Sequence, residues 1–413
     1  MSDDAIADAV ATLRDAATIR ERCGHIADAV AAGDSEQFTL DPSQLPVVAD
    51  RVAALARQRF PRGRIPYHSR WRHFEAGGVN RAGELDVALA GRSDAQRARA
   101  RIDLALVSVL LDAGAGADWR YAEAASRQGF ARSEGLGVAS FRGFLAGRFS
   151  SDPSEPCRVD ADALVALDAD ALAEMFQVRR DNPLVGLDGR AALLRRLGAA
   201  LKAQAALFAQ PGTPARPGHL FDLLTRDGVR SVQAAQILRA LLDAFSAIWP
   251  SGQQLEGTPV GDAWPHPLAS GAGASAGWVP FHKLSQWLSY SLLEPFEWAG
   301  IAVEGLDALT GLPEYRNGGL LLDAGVIVPR DAAFESRRYT PADPWVIEWR
   351  ALTVALLDRV APLVRERLGV SAQQMPLACV LEAGTWLAGR QIAAERRAGG
   401  GPPVQIESDG TVF

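Results

Sequence analysis

The chain has 413 residues, 48% of them apolar, with a formal net charge of −6 and a pI near 5.6. It can bury a large core, and it lacks the basic excess of a nucleic-acid-binding surface. No apolar run reaches the ~18 residues that cross a bilayer, the N-terminus MSDDAIADAVATLRD is acidic without a secretory hydrophobic stretch, and Cys23, Cys157 and Cys379 form no CxxC pair, so a soluble cytoplasmic protein in a reducing compartment is expected.

Apolar residues recur at three and four over residues 3–32, 43–59, 93–114, 160–177, 188–209, 219–225, 230–248, 281–298 and 345–367, with few alternating runs. The spacing predicts an all-α protein. Asp41-Pro42-Ser43, Asp188 and Asp343-Pro344 read as helix starts. Stretches rich in Gly, Pro and Ser at 150–156, 210–218, 250–280 and 397–403 read as hinges or loops. The first either divides the chain into helical subdomains 1–150 and 151–413, with the active site expected between them, or lies within one helical domain that runs through it.

Four polar clusters interrupt the helical pattern. The first, 64-RIPYHSRWRHFEAGGVNR-81, gathers Arg70, Arg72 and His73 around aromatic residues and ends in Gly77-Gly78. It reads either as an anion site or as a solvated basic loop. The second is the apolar helix ending at Asp112, with Gly114, Gly116 and then Asp118-Trp119-Arg120-Tyr121, a helix cap or a pocket wall. The third, 176-FQVRRDNPLVGLDGR-190, reads mainly as turns and a cap. The fourth, 306-LDALTGLPEYRNGGLLLDAGVI-327, holds Glu314, Tyr315 and Arg316 in a turn, with a surface salt bridge as the competing use of Glu314.

Among 43 basic residues only Lys202 and Lys283 are lysines. A lysine kept where nearly every cation is arginine either marks a place for a compact ammonium that can lose its proton or survives by chance. Lys202 sits in an amphipathic helix that explains it, whereas Lys283 lies in 281-FHKLSQWLSYSLLEP-295 beside His282, Gln286, Trp287 and Tyr290. Lys283 and Glu314 are therefore the candidate acid–base pair. The histidines show no HxxxH or HExxH spacing, and neither a metal nor a cofactor is expected.

The segments IPYHSRWRHFEAGG, VSVLLDAGAGADWRY, NPLVGLDGR, VPFHKLSQWLSYSLLEP and GLPEYRNGGLLLDAGV resemble the uracil catabolism protein 4 family, from about residue 40 to the closing SDGTVF. A more distant resemblance links Phe281-His282-Lys283-x-x-Gln286 and Leu312-Pro313-Glu314-Tyr315-Arg316 to queuosine salvage nucleosidases, with Glu in place of Asp. That second resemblance implies a fold like the helix-hairpin-helix DNA glycosylases. Together they imply hydrolysis of the bond between ribose and urea in pyrimidine degradation, without nucleic acid, membrane or cofactor. Glu314 is then the base for water and the stabiliser of the oxocarbenium-like state, Lys283 or His282 the proton donor, and Asp222 the reserve carboxylate. Trp287 and Tyr290 wall the site with Gln286, Tyr315 and Arg316; Asp118, Trp119 and Arg120 line it; Arg70, Arg72 and His73 take a 5′-phosphate if there is one. An amidohydrolase releasing ammonia and a non-catalytic scaffold remain the competing classes, and the sequence leaves the oligomeric state open.

Overall fold

A computed structural model describes residues 2–407; the closing SDGTVF lies outside the described residues. Helix outweighs strand by 57% to 10%, so the architecture is mainly α. The helices are α1 (Asp3–Leu13), α2 (Ala16–Ala32), α3 (Leu45–Arg59), α4 (Trp71–Phe74), α5 (Arg81–Ala88), α6 (Asp94–Leu110), α7 (Arg132–Leu145), α8 (Ala161–Ala166) and α9 (Ala169–Met175). They continue with α10 (Leu187–Ala203), α11 (Ala205–Phe208), α12 (Leu220–Leu224), α13 (Ala234–Phe245), α14 (Lys283–Glu297), α15 (Tyr315–Asp323), α16 (Pro344–Leu368), α17 (Leu377–Val380) and α18 (Trp386–Arg396).

Local chemistry cuts several expected helices. Asp15 caps α2 by accepting from Ala17 N, which ends the expected 3–32 helix at α1 and restarts it. Asp168 does the same between α8 and α9. The N-cap of α10 is the left-handed Gly186, and Asp188 sits in the first turn, where its charge favours the helix dipole. Six two-stranded ribbons depart from the all-α expectation among the described residues. Two of them, Gln253–Leu255 with Thr258–Gly261 and Ala263–Pro265 with Trp278–Pro280, fill the stretch expected to be loop. Strands this short are held by their turns and by packing, so no alternating run long enough to read in the sequence is needed.

Two helices run through the middle of the molecule. Every residue of α6 from Ala100 to Leu110 is buried, and so is every residue of α14 from Leu284 to Phe296. A helix apolar on all sides belongs in a core rather than on a surface, and these two pack against each other. Helix α16 packs on α2 and α3, and α15 on α18. Buried charges sit in this core as arginine–carboxylate pairs: Arg81 with Glu123, Arg216 with Asp103, and Arg350 with Asp262. The planar guanidinium meets a carboxylate with two parallel N–H groups, which accounts physically for much of the arginine usage.

Candidate active site

The site is built from the N-terminus of α14 outward. Asp262 sits beneath that terminus. Its carboxylate accepts from the Lys283 backbone N at 3.0 Å, from Trp264 Nε1 at 2.7 Å and from Arg350 at 2.8 and 2.7 Å, while its carbonyl accepts from the N–H groups of Phe281 and His282. The Arg350 guanidinium lies 4.2 Å from the Phe281 ring centroid. With the backbone fixed on three consecutive N–H groups, the Lys283 side chain has a defined origin, and Trp287 stands one turn along the same face.

Glu314 enters from the opposite side as the N-cap of α15, accepting from Arg316 N at 2.7 Å and Asn317 N at 2.5 Å. The loop that carries it is tied to α14: the Gln286 amide exchanges hydrogen bonds with Thr310, and the Tyr290 hydroxyl donates to the Thr310 carbonyl at 2.9 Å. Gln286 and Tyr290, expected as lining, therefore set the position of the Glu314 loop with their polar atoms. Lys283 and Glu314 bias one another's charge without an ion pair within 4 Å. Burial pushes the Lys283 ammonium down, opposed first by Glu314, and pushes the Glu314 carboxyl up, opposed by its two backbone donors and by Lys283. Both side chains lie deep in the fold and still keep part of their surface open to water.

The third wall comes from the first half of the chain. Arg70, fully buried, donates to Asp112 at 2.9 Å and to Ser108 Oγ at 2.7 Å, and its guanidinium lies 5.7 Å from the Trp287 ring. His73 meets the same indole edge-on at 5.8 Å. Gly137 of α7 allows this approach, because a Cβ there would stand 2.9 Å from His73 Cβ. Burial, then Arg70, lowers the His73 pKa well below the histidine range, so the ring is neutral. The charge of Asp112 reaches both Lys283 and Tyr315. Around these residues Arg70 Nη2, His73 Nδ1, Asp112 Oδ1, Trp287 Nε1 and Asn317 Oδ1 are buried without a hydrogen-bond partner among the described residues. Buried polar atoms left unpaired cost about 1–3 kcal/mol each, and such atoms in one region mark a place built to meet a ligand.

Sequence reasoning missed His68, Glu382, Asp112 and the Asp262–Arg350 pair. His68 Nδ1 lies 3.0 Å from Glu382 Oε2, and Arg59 Nη2 donates to Glu382 Oε1 at 2.7 Å. Glu382 belongs to a π-helical turn, Leu381–Thr385, of the kind that recurs at functional sites. His68 faces Glu314 and His73, whose titration it affects. The signals were weak: Glu382 is one carboxylate in the apolar run LACVLEAG, and Asp112 the first carboxylate after LALVSVLL.

Other expected site residues go elsewhere. His282 takes a left-handed conformation (φ 48°) and its Nε2 bonds the Leu13 carbonyl at 2.8 Å, tying α1 to the core rather than serving as proton donor. Asp222 is engaged by Arg99 at 2.8 and 2.6 Å. Arg72 bridges Glu75 and Glu294, so carboxylates occupy the guanidinium expected for phosphate. Gly77, expected to open its backbone to an anion, is packed against Gln128 and Phe130. Asp118 is exposed, the buried Trp119 donates to the Phe176 carbonyl at 3.0 Å, and Arg120 folds onto the carbonyls of Ala117 and Trp119, so this segment is a structural turn. Tyr315 borders Glu314, and Arg316 stacks on Tyr315 while donating to the Gly400 carbonyl at 2.9 Å. Lys202 is the exposed partner of Asp162 at 2.7 Å. Among the described residues no helix is long and apolar enough to cross a membrane, and no group of three or more His, Cys, Asp and Glu is placed to hold a metal ion.

Comparison with known proteins matches residues 12–413 to the family described as "Protein of unknown function (DUF1688)". The chain is 37% identical to "Uracil catabolism protein 4" of Lachancea kluyveri, with 98% of this chain and 99% of that protein covered. It is 40% identical to "Protein urg3" of Schizosaccharomyces pombe, with the same coverage of both.

Proposed function

The chain belongs to the uracil catabolism protein 4 family, and on that premise we propose that it acts in uracil catabolism as an N-ribosyl hydrolase, splitting ribosyl-urea or its 5′-phosphate into urea and the sugar. The observation that carries this reading is that Lys283 and Glu314, both deep in the fold and partly open to water, influence one another's charge without forming an ion pair, beside donors and acceptors that lack partners among the described residues. Breaking a ribosyl C–N bond develops positive charge at C1′ and negative charge on the departing ureido group. A carboxylate on one side and a cationic proton donor on the other answer those two charges. Glu314 stands at C1′, where its anion stabilises the oxocarbenium-like state, and Lys283 protonates the urea as it leaves. Trp287 closes the side of the site, and Asp112 Oδ1 and Asn317 Oδ1 accept from sugar hydroxyls or ureido N–H groups. If the sugar carries a 5′-phosphate, Arg70 Nη2 and His73 Nδ1 are the unpartnered nitrogens nearest to hand. A core like that of the helix-hairpin-helix glycosylases belongs to the same proposal.

The test is direct. The protein is incubated with ribosyl-urea and, separately, with its 5′-phosphate, and the products are assayed. Release of urea with free sugar or sugar phosphate is the expected result. Ammonia in place of urea would make the protein an amidohydrolase, and no turnover of either compound would leave a scaffold.

A further inference from the structure

The proposed hydrolysis needs a destination for the proton of the attacking water. Glu314 is poorly placed to be that destination, because both of its oxygens already accept from backbone N–H groups at 2.7 and 2.5 Å. Burial raises the Glu314 pKa and these bonds only oppose the rise, so what sets Glu314 apart is geometry: both of its oxygens are turned to the α15 backbone. The carboxylate suits a standing charge at C1′ better than a base that must be protonated in the transition state.

His68 has the opposite arrangement. Its backbone N donates to the Ala378 carbonyl at 3.0 Å, and its Nδ1 lies 3.0 Å from Glu382 Oε2. Despite burial, which raises it, the hydrogen bond from His68 and the Arg59 guanidinium hold the Glu382 carboxyl below its ordinary value, so it is an acceptor. Nδ1 therefore carries the hydrogen, and Nε2 presents a lone pair. The ring is only partly buried, and among the described residues no atom accepts from or donates to Nε2. His68 touches Glu382, which Arg59 also holds, and acts electrostatically on Glu314 and His73. The Glu382 carboxylate against the ring, with His73 neutral, is an environment in which an imidazolium formed during reaction is stabilised.

Resting on the function proposed above, we infer that His68, oriented by Glu382, is the general base for the water that attacks C1′. The water oxygen bonds to C1′ while one of its protons passes to His68 Nε2. The electrons of the C1′–N bond leave with the ureido nitrogen, which takes a proton from Lys283 Nζ. The products are sugar and urea, and the protonated His68 and neutral Lys283 return to their starting states by exchanging a proton with solvent. Glu382 is a positioning residue, acting through the ring it holds.

Two variants of the full chain test this by urea release. His68→Asn places an amide N–H where Nδ1–H was, keeping the bond to Glu382 while removing Nε2, so kcat should fall by on the order of 10²-fold with an unchanged circular dichroism spectrum, and added imidazole should restore part of the rate. Glu382→Gln removes the charge that stabilises the imidazolium, so the acid limb of the kcat/KM profile should move to lower pH, a shift that a purely structural role would not produce. Should His68→Asn fail to fold, that profile decides alone. Wild-type turnover together with a His68→Asn rate within threefold of it, or an acid limb unmoved in Glu382→Gln, would overturn the role of His68 and leave the hydrolase reading standing. Absence of urea from the wild-type protein on both substrates would overturn both.

Discussion

Replacing Glu314 with Gln separates the chemistry of this side chain from its structural duty. The carboxylate caps α15 through Arg316 N and Asn317 N. A glutamine oxygen can keep one of these bonds, while its NH2 group must face the other donor. Loss of an N-cap costs about 0.5–2 kcal/mol, and a charge-assisted bond about 1.5–3 kcal/mol. Against this, burial already disfavours the charge, raising the Glu314 pKa, so neutralising it recovers part of the loss. A net destabilisation of about 1 kcal/mol is expected, a melting shift of at most ~2–4 °C in a chain of this length. The catalytic effect should be larger. A carboxylate that meets its charge only in the transition state should cost on the order of 10²-fold in kcat, or about 2.7 kcal/mol of barrier. Stability on the order of 5–15 kcal/mol keeps such a variant folded, so the two effects cannot be confused. Urea release and thermal melting on the same preparation check both. A variant that melts within a few degrees of wild type and turns over within threefold of it would refute the reasoning.

Lys283→Arg should be as severe as Glu314→Gln in the urea assay, because a guanidinium keeps the charge without a transferable proton, whereas Lys202→Arg, at a surface pair worth ~1 kcal/mol or less, should leave rate and melting unchanged. Exhaustive chelation should leave urea release unchanged, and a loss reversed by a divalent ion would show that a metal takes part. His282→Asn should lower the melting temperature by stranding the buried Leu13 carbonyl, at about 1–3 kcal/mol, with kcat per folded molecule little changed; a large kcat loss at unchanged stability would restore His282 as the proton donor. Burial lowers His266 from 6.5 to about 4, so the unfolded chain binds a proton there before the folded one does. Stability from this group is complete above pH 6.5 and is lost as the pH falls towards 4, by about 3 kcal/mol in all. Glu348, 3.6 Å from His266 and pushed up to about 7, acts in the opposite sense over the same window, so wild-type melting should stay nearly flat there, while His266→Gln, which removes only the histidine's share, should gain stability relative to wild type as the pH falls.

How much could be read in advance differs between elements for physical reasons. Helices α14 and α16 were legible because their length and spacing leave little choice, and the Asp-Pro start of α16 sits one residue from where it was expected. Helices α7 and α15 were not: Gly135, Gly137 and Gly143 in one, and Gly318-Gly319 in the other, suggest turns. Those glycines allow close packing instead, as Gly318, where a Cβ would stand 2.7 Å from the Trp349 ring, shows. At the site, Lys283 and Glu314 stood out through residue type and turn chemistry. His68, Glu382 and Asp112 did not, since His68 meets Glu382 across more than 300 residues of sequence and Asp112 meets Arg70 from the end of a different helix. The arginine clusters misled for a related reason. A run such as Arg70 and Arg72 suggests an anion site, but the carboxylates that answer it, Asp112 and Glu294, lie far away in sequence.

The scarcity of lysine gains a physical sense once the neighbours of Lys283 are known. Around it stand Arg350, which opposes its charge, and Glu314, Asp262 and Asp112, which favour it. An arginine here would place a second permanent cation near Arg350 in a buried site where Asp262 is already held by two of the Arg350 nitrogens and both Glu314 oxygens already accept from backbone N–H groups. Burying such an unmatched charge is costly. A lysine lowers that cost because burial pushes its pKa down, whereas a guanidinium keeps its charge. The same property that makes the residue tolerable in this packing makes it able to give a proton away.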